Sequence, residues 1–231
     1  SDRLDVLLHW LPATGPGAPA GAPRPGPRAQ LLLHIGAAAR MVRLAPLAPP
    51  QPGQPGQPEP ARLLLDRPVC AAWGDRFILR DAAANRTLAG GRVVDAFGPL
   101  RGRARPERLA ALAALARHDP ADALAAWLQA EPDGVDLAAF ALSRGLRADE
   151  AAAVQDRPGV QGLPGSQPPR AVTPARWAGW LAALLQAVDA WHAARPDSLG
   201  PDDAALRQAL AVDAARQPLL RAGLLAAVAG G

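Results

Sequence analysis

Two arginines, Arg80 and Arg86, sit where side-chain type and spacing could do chemistry. They bracket a short polar stretch containing Asp81, Ala82 and Asn85. Apolar runs lie on either side: Gly74-Asp75-Arg76-Phe77-Ile78-Leu79-Arg80-Asp81 before it, and Arg86-Thr87-Leu88-Ala89-Gly90-Gly91-Arg92-Val93-Val94 after it. Guanidinium forks match phosphate geometry, and backbone amides near Ala82 are placed to approach a sugar–phosphate chain. The plain alternative is a surface hairpin with solvated charges. A second basic set, Arg101, Arg103 and Arg105, lies in the proline-bounded stretch from Pro99 to Pro106. It reads either as a solvated linker or as a phosphate-contacting hinge whose arginines would add a salt-dependent contribution to binding.

Composition excludes more chemistry than it supports. All 25 Lys+Arg residues are arginine, set against 21 acidic residues, for a net charge of +4. Without lysine there is no P-loop, no Schiff-base or pyridoxal mechanism and no kinase strand lysine. His9, His34, His118 and His192 are scattered without ligand spacing, no Gly-x-Ser-x-Gly elbow is present, and no carboxylate pair stands out for acid/base work. No catalytic, cofactor-binding or metal site is therefore expected. Cys70 has no partner within the chain, and its apolar neighbours predict a buried thiol in a reducing compartment. No signal peptide is visible, and no apolar run is long enough for a membrane span.

The elements that must position these residues change character near residue 100. Apolar runs at Arg3 to Leu11, Gln30 to Ile35, Met41 to Leu44, Arg62 to Leu65, Ala71 to Arg80 and Arg92 to Phe97 predict six short strands in a small barrel or sandwich. Pro12 to Pro27 and Pro46 to Pro60 are expected as solvated loops, because proline cannot donate to a ladder. Beyond the linker the period becomes helical. Asp119-Pro120 and Thr173-Pro174 are helix starts, and Gly145 is a C-terminal cap. Three helices followed by a hairpin-like stretch, Pro158 to Val172, give the order of a winged-helix unit. Trp177, Trp180, Leu184 and Trp191 form a helical stripe, read as core rather than as a base-stacking surface.

The motif around Arg80 and Arg86, the entry Arg3-Leu4-Asp5-Val6, the run Leu65-Asp66-Arg67-Pro68-Val69, the basic Arg101-Gly102-Arg103-Ala104-Arg105-Pro106-Glu107 and Gly134 to Ala141 together resemble the C-terminal half of bacterial selenocysteine-specific elongation factors. The resemblance implies a multidomain β + α chain. Residues 1–98 would be a six-stranded Greek-key β-barrel like the third domain of elongation factor Tu, and 99–106 a basic linker. Residues 107–172 would be a winged-helix unit and 173–231 a second, partial one, with a truncated C-terminus. It further implies a cytoplasmic, non-catalytic piece of a GTPase whose GTP and Mg²⁺ would be held by a preceding domain. Partners would be selenocysteyl-tRNA, the ribosome and, through other parts of the parent, the selenocysteine-insertion mRNA hairpin; no membrane is involved. Arg80, Asp81, Ala82, Asn85 and Arg86 would face the tRNA. The alternative is a DNA-binding winged-helix regulator with an appended β domain. Against it, the helix from Asp136 to Leu146 is mostly Ala, Leu and Phe rather than the polar outer face that a groove reader presents.

Overall fold

A computed structural model describes the chain except for residues 13–24, 27–28, 49–56, 101–104 and 231. Most of both proline-rich stretches, and Arg101 and Arg103 with them, lie outside the described residues. The chain forms two compact units, Ser1–Ala123 with Ala141–Leu146, and Leu124–Phe140 with Arg147–Gly231. The expected division at 98/99, with a linker over 99–106, does not coincide with this partition.

Six strands form the first unit's core: β1 (Arg3–Trp10), β2 (Gln30–Ile35), β3 (Ala38–Pro46), β4 (Glu59–Leu65), β5 (Arg76–Asp81) and β6 (Thr87–Asp95). They close an antiparallel barrel in the order β1-β4-β3-β2-β5-β6, which contains a Greek key because β1 returns beside β4 after the β2-β3-β4 meander. Alternation sends Leu4, Val6, Leu8, Leu31, Leu33, Val42, Leu63, Leu79 and Val93 inward, all essentially inaccessible. Each such side chain contributes about 1.5–3 kcal/mol by leaving water.

The strand boundaries depart from expectation at three places. Pro46 and Pro60 belong to strand ends, where a missing donor costs little; the Pro60 carbonyl accepts from Leu47 N at 3.2 Å. Strand β6 starts at Thr87, through Gly90-Gly91, which would weaken most strands. Here a Cβ on Gly91 would lie 2.7 Å from the Phe77 ring, so glycine makes room for the largest core side chain of β5. Trp73, read as part of a strand, is instead in a turn before β5, with Gly74 at φ 85°. Cys70 is exposed rather than buried; Val69 takes the inward position in that irregular segment.

Helices α1 (Pro106–Leu115), α2 (Pro120–Ala130), α3 (Leu137–Arg144) and α4 (Ala148–Gln155) follow, with short strands β7 (Val135–Asp136), β8 (Gln161–Gly162) and β9 (Arg170–Val172). The three strands pair as β7-β9-β8. Helices α5 (Pro174–Ala194), α6 (Asp203–Ala209) and α7 (Gln217–Gly230) complete the chain. The expected caps form. Asp119 accepts from Asp122 N at 2.8 Å, and the Thr173 hydroxyl accepts from Arg176 N at 3.4 Å. Gly145 at φ 63° lets Leu146 N reach Ala141 O and Gly145 N reach Leu142 O, which is a Schellman ending.

Candidate nucleic-acid interface

The turn between β5 and β6 is built around one carboxylate. Asp81 Oδ1 accepts from Asn85 N at 2.6 Å and from Arg86 N at 3.2 Å. Asp81 N donates to Arg86 O at 3.0 Å, and Ala84 N to Asp81 O at 2.9 Å. Ala84 takes φ 57° to close the turn. Asp81 therefore holds the turn in shape, and the amides of Asn85 and Arg86 are already used. Ala82, Asn85 and Arg86 are exposed. Arg80 pairs with Leu32 across the sheet, on the outer face of the barrel, and its Nε is buried without a partner among the described residues.

Arg105 is exposed and precedes α1. It is not brought to the turn. The turn leads into the Thr87 end of β6, whereas α1 is anchored at the Asp95 end, eight residues along the strand, or roughly 26 Å at about 3.3 Å per residue.

That anchor is a buried ion cluster that sequence reasoning missed. Arg62 on β4, Asp5 on β1 and Asp95 on β6 form one cross-strand row. Arg62 grips Asp5 through both forks, Nε at 2.5 Å and Nη2 at 2.8 Å, and donates from Nη1 to Pro99 O at 2.5 Å. Asp5 and Asp95 face each other, a pairing that is repulsive by itself. Arg108 of α1 resolves it: Nη2 binds both Asp5 Oδ2 and, at 2.5 Å, Asp95 Oδ2. Burial alone would lower the Arg108 guanidinium's pKa. Asp95 and Asp5 more than offset this and hold it above its ordinary value. Gly98 fits against the cluster, since a Cβ there would lie 2.6 Å from Asp5 Oδ2. The sequence-level trace was a charge within each of three strands, Asp5 on β1, Arg62 on β4 and Asp95 on β6.

A second set closes the other end of α1. Trp73 Nε1 donates to Leu115 O at 2.8 Å and Arg92 Nη2 to Ala116 O at 3.0 Å. Arg144 Nη2 donates to Leu115 O and Arg117 O, both at 2.7 Å. Arg144 also lies over the Trp73 ring, 4.4 Å from its centroid. Burial brings its pKa down to about 10; Asp119 opposes that shift and Arg92 adds to it. Cations at a helix C-terminus oppose the negative end of its dipole.

In the second unit two of the tryptophan donors are used internally, while Trp127 Nε1 is buried without a hydrogen-bond partner among the described residues. Trp180 Nε1 donates to Leu219 O at 3.0 Å and Trp191 Nε1 to Ser198 Oγ at 2.9 Å. Trp177 and Trp180 pack on Leu163, Val172, Leu219 and Ala222. No group of three or more potential metal ligands occurs among the described residues, and no helix among them is long and apolar enough to cross a membrane.

The chain is thus a closed six-stranded antiparallel barrel followed by a helical region, and comparisons with known proteins place it among similar chains. Residues 27–100 match the family described as "Selenocysteine-specific elongation factor, beta-barrel domain". The chain is 38% identical over 150 residues to the selenocysteine-specific elongation factor of Escherichia coli (strain K12), covering 64% of this chain and 23% of that protein. A solved bacterial selenocysteine-specific elongation factor, EF-Sec, superposes with a TM-score of 0.59 at 14% identity, covering 97% of this chain and 31% of the other. The chain thus spans about a quarter to a third of these relatives. Together they support the reading of this chain as part of a selenocysteine-specific elongation factor.

Proposed function

We propose that this chain is a tRNA-contacting and spacing part of a factor that delivers selenocysteyl-tRNA to the ribosome in the cytoplasm. The observation that carries the reading is the 38% identity to the Escherichia coli factor. Its barrel turn, flanked by Arg80 and Arg86, supplies the RNA contact, and GTP binding and hydrolysis belong to the rest of the parent. The mRNA hairpin is read by other parts of that parent. No chemistry is assigned to the residues of this chain.

The α2–β7–α3–α4–β8–β9 order with a β7-β9-β8 sheet supports reading residues 107–172 as a winged-helix unit, with 173–231 as a second, partial one. In that reading α4, directly before the hairpin, rather than the helix from Asp136 to Leu146, occupies the groove-reading position. It begins with exposed Asp149 and Glu150, and Arg147 beside it is paired to Asp149 at 3.1 Å. An acidic first turn repels phosphates, which disfavours the DNA-binding regulator and suits a spacer.

The test is binding of a selenocysteine tRNA transcript to the 231-residue chain over a salt series. Binding that weakens with salt and weakens further with Arg80→Ala plus Arg86→Ala is expected. Unchanged binding in that double variant would show that the turn is not the contact. Tight, sequence-selective binding to duplex DNA would favour the regulator instead.

A further inference from the structure

We infer that the two winged-helix units proposed above are joined without a hinge: an arginine staple, Arg176 with Arg170 and Arg216, clamps the end of α2 to the elements that follow it and makes the second compact unit one stiff strut. The use of that strut rests on the reading of the chain as a spacing part of its parent.

The staple answers a local deficit. The last carbonyls of a helix have no partner within it, and α2 ends just before Pro132, which has no N–H to give to Leu128 O. Arg176, in the first turn of α5, supplies what is missing. Its Nη1 donates to Leu128 O and to Glu131 O, both at 2.7 Å, and its Nη2 to Gln129 O at 2.8 Å. Helix α2 is thus capped by a residue at least 45 positions further along the chain, and a cation stands at the negative end of its dipole. Two more arginines hold the turn that follows. Arg170 on β9 donates through Nη2 to Gly134 O at 2.6 Å, and Arg216, just before α7, donates from Nε to Asp133 Oδ1 at 2.9 Å. The α2–β7 turn is therefore gripped from β9, from α5 and from the segment that leads into α7.

The connection itself has no slack. Only Thr173 separates β9 from α5, and a hinge needs residues that can absorb a change of φ and ψ. Thr173 is buried; its hydroxyl accepts from Arg176 N at 3.4 Å and its carbonyl from Trp177 N at 3.0 Å. Apolar packing runs straight across the same boundary. Leu163 beside β8 and Val172 of β9 share one cluster with Leu219 and Ala222 of α7, and Trp177 and Trp180 of α5 pack against it. Trp180 also packs against Leu184, Leu206 and Leu220. Gly223 makes room for it, since a Cβ there would lie 2.9 Å from Leu184 Cδ2 and 3.3 Å from Trp180 Nε1. Modules on a flexible tether show the reverse: two closed cores and a solvated connection that few contacts cross.

The experiment measures the distance between spin labels on Ala153→Cys of α4 and Gln208→Cys of α6, both exposed positions. It uses the 231-residue chain carrying Cys70→Ser. Pulsed electron resonance should give one narrow distribution. Arg176→Met, which keeps an aliphatic stem and removes every donor, should broaden or split it while the far-ultraviolet circular dichroism stays that of the parent. Where the methionine variant does not fold, Arg176→Lys takes its place: it keeps the charge but has no planar fork to span three carbonyls. A broad or two-peaked distribution in the parent means a hinge and overturns the inference. A distribution as narrow in the variant as in the parent means that packing alone holds the unit, and overturns the staple. The measurement needs no RNA. A chain that binds no tRNA yet gives one narrow distance keeps the stiff unit and loses only its role in tRNA delivery.

Discussion

The two sides of the barrel use the same residue type for opposite ends. On the side formed by β4, β1 and β6, Arg62, Arg92 and Arg108 are each committed to a carboxylate or a helix carbonyl. On the side formed by β3, β2 and β5, Arg43, Arg76 and Arg80 enter no salt bridge among the described residues, with Asp66 near Arg43 in the register of β3 and β4. A net charge of +4 is small, but its arginines differ in setting: Arg62 and Arg108 are bound to carboxylates beside α1, whereas Arg43 and Arg76 are exposed. Charge asymmetry of this kind steers a polyanion to one face, which total composition conceals.

The largest effect should come from breaking the committed side. Arg108→Ala leaves Asp5 and Asp95 facing each other with only Arg62 to offset them. Removing one member of a buried cluster typically costs about 3–5 kcal/mol, so urea unfolding of the first unit should shift by an amount in that range. RNA affinity at temperatures where the variant is folded should be unchanged. Loss of RNA binding with intact stability would invert the comparison.

Arg144→Ala comes next. It strips three α1-end carbonyl contacts and the stacking over Trp73, with an expected cost of about 2 kcal/mol. Amide exchange at the α1 C-terminus should report it. A smaller effect, about 1 kcal/mol, is expected for Asp81→Ala, which releases the turn amides. Asp81→Ala should not weaken RNA binding; a loss larger than that caused by Arg86→Ala would mean that Asp81 itself touches the ligand. The smallest effect on stability belongs to the open side. Arg43→Ala plus Arg76→Ala should stay within about 0.5 kcal/mol of the parent, measured by the same urea curves.

Local signals made much of this legible. The strand β2 and the caps at Asp119, Thr173 and Gly145 depend on neighbours within a few residues, and the sequence showed them. What stayed hidden depends on distance along the chain. Asp5 meets Arg62 across 57 residues and Arg108 across 103, and no local pattern marks such a partnership. Trp73 mimicked a strand position because it falls in phase with Phe77 and Leu79, yet its indole serves α1. The strand was placed at Arg92 to Phe97 rather than from Thr87, and the fit of Gly91 against the Leu7 carbonyl and the Phe77 ring is a long-range contact that no local pattern shows. Of the expected site, Arg80 and Arg86 flank one turn that Asp81 also holds together, while Arg105 precedes the helix anchored near the far end of β6.

Pro99 and Arg108 are both held by the same ion cluster, one through its carbonyl and the other through its guanidinium. The cluster thus clamps the chain at two points, just after β6 and in the first turn of α1, so that the barrel's end and the helix's start are tied to the same buried charges.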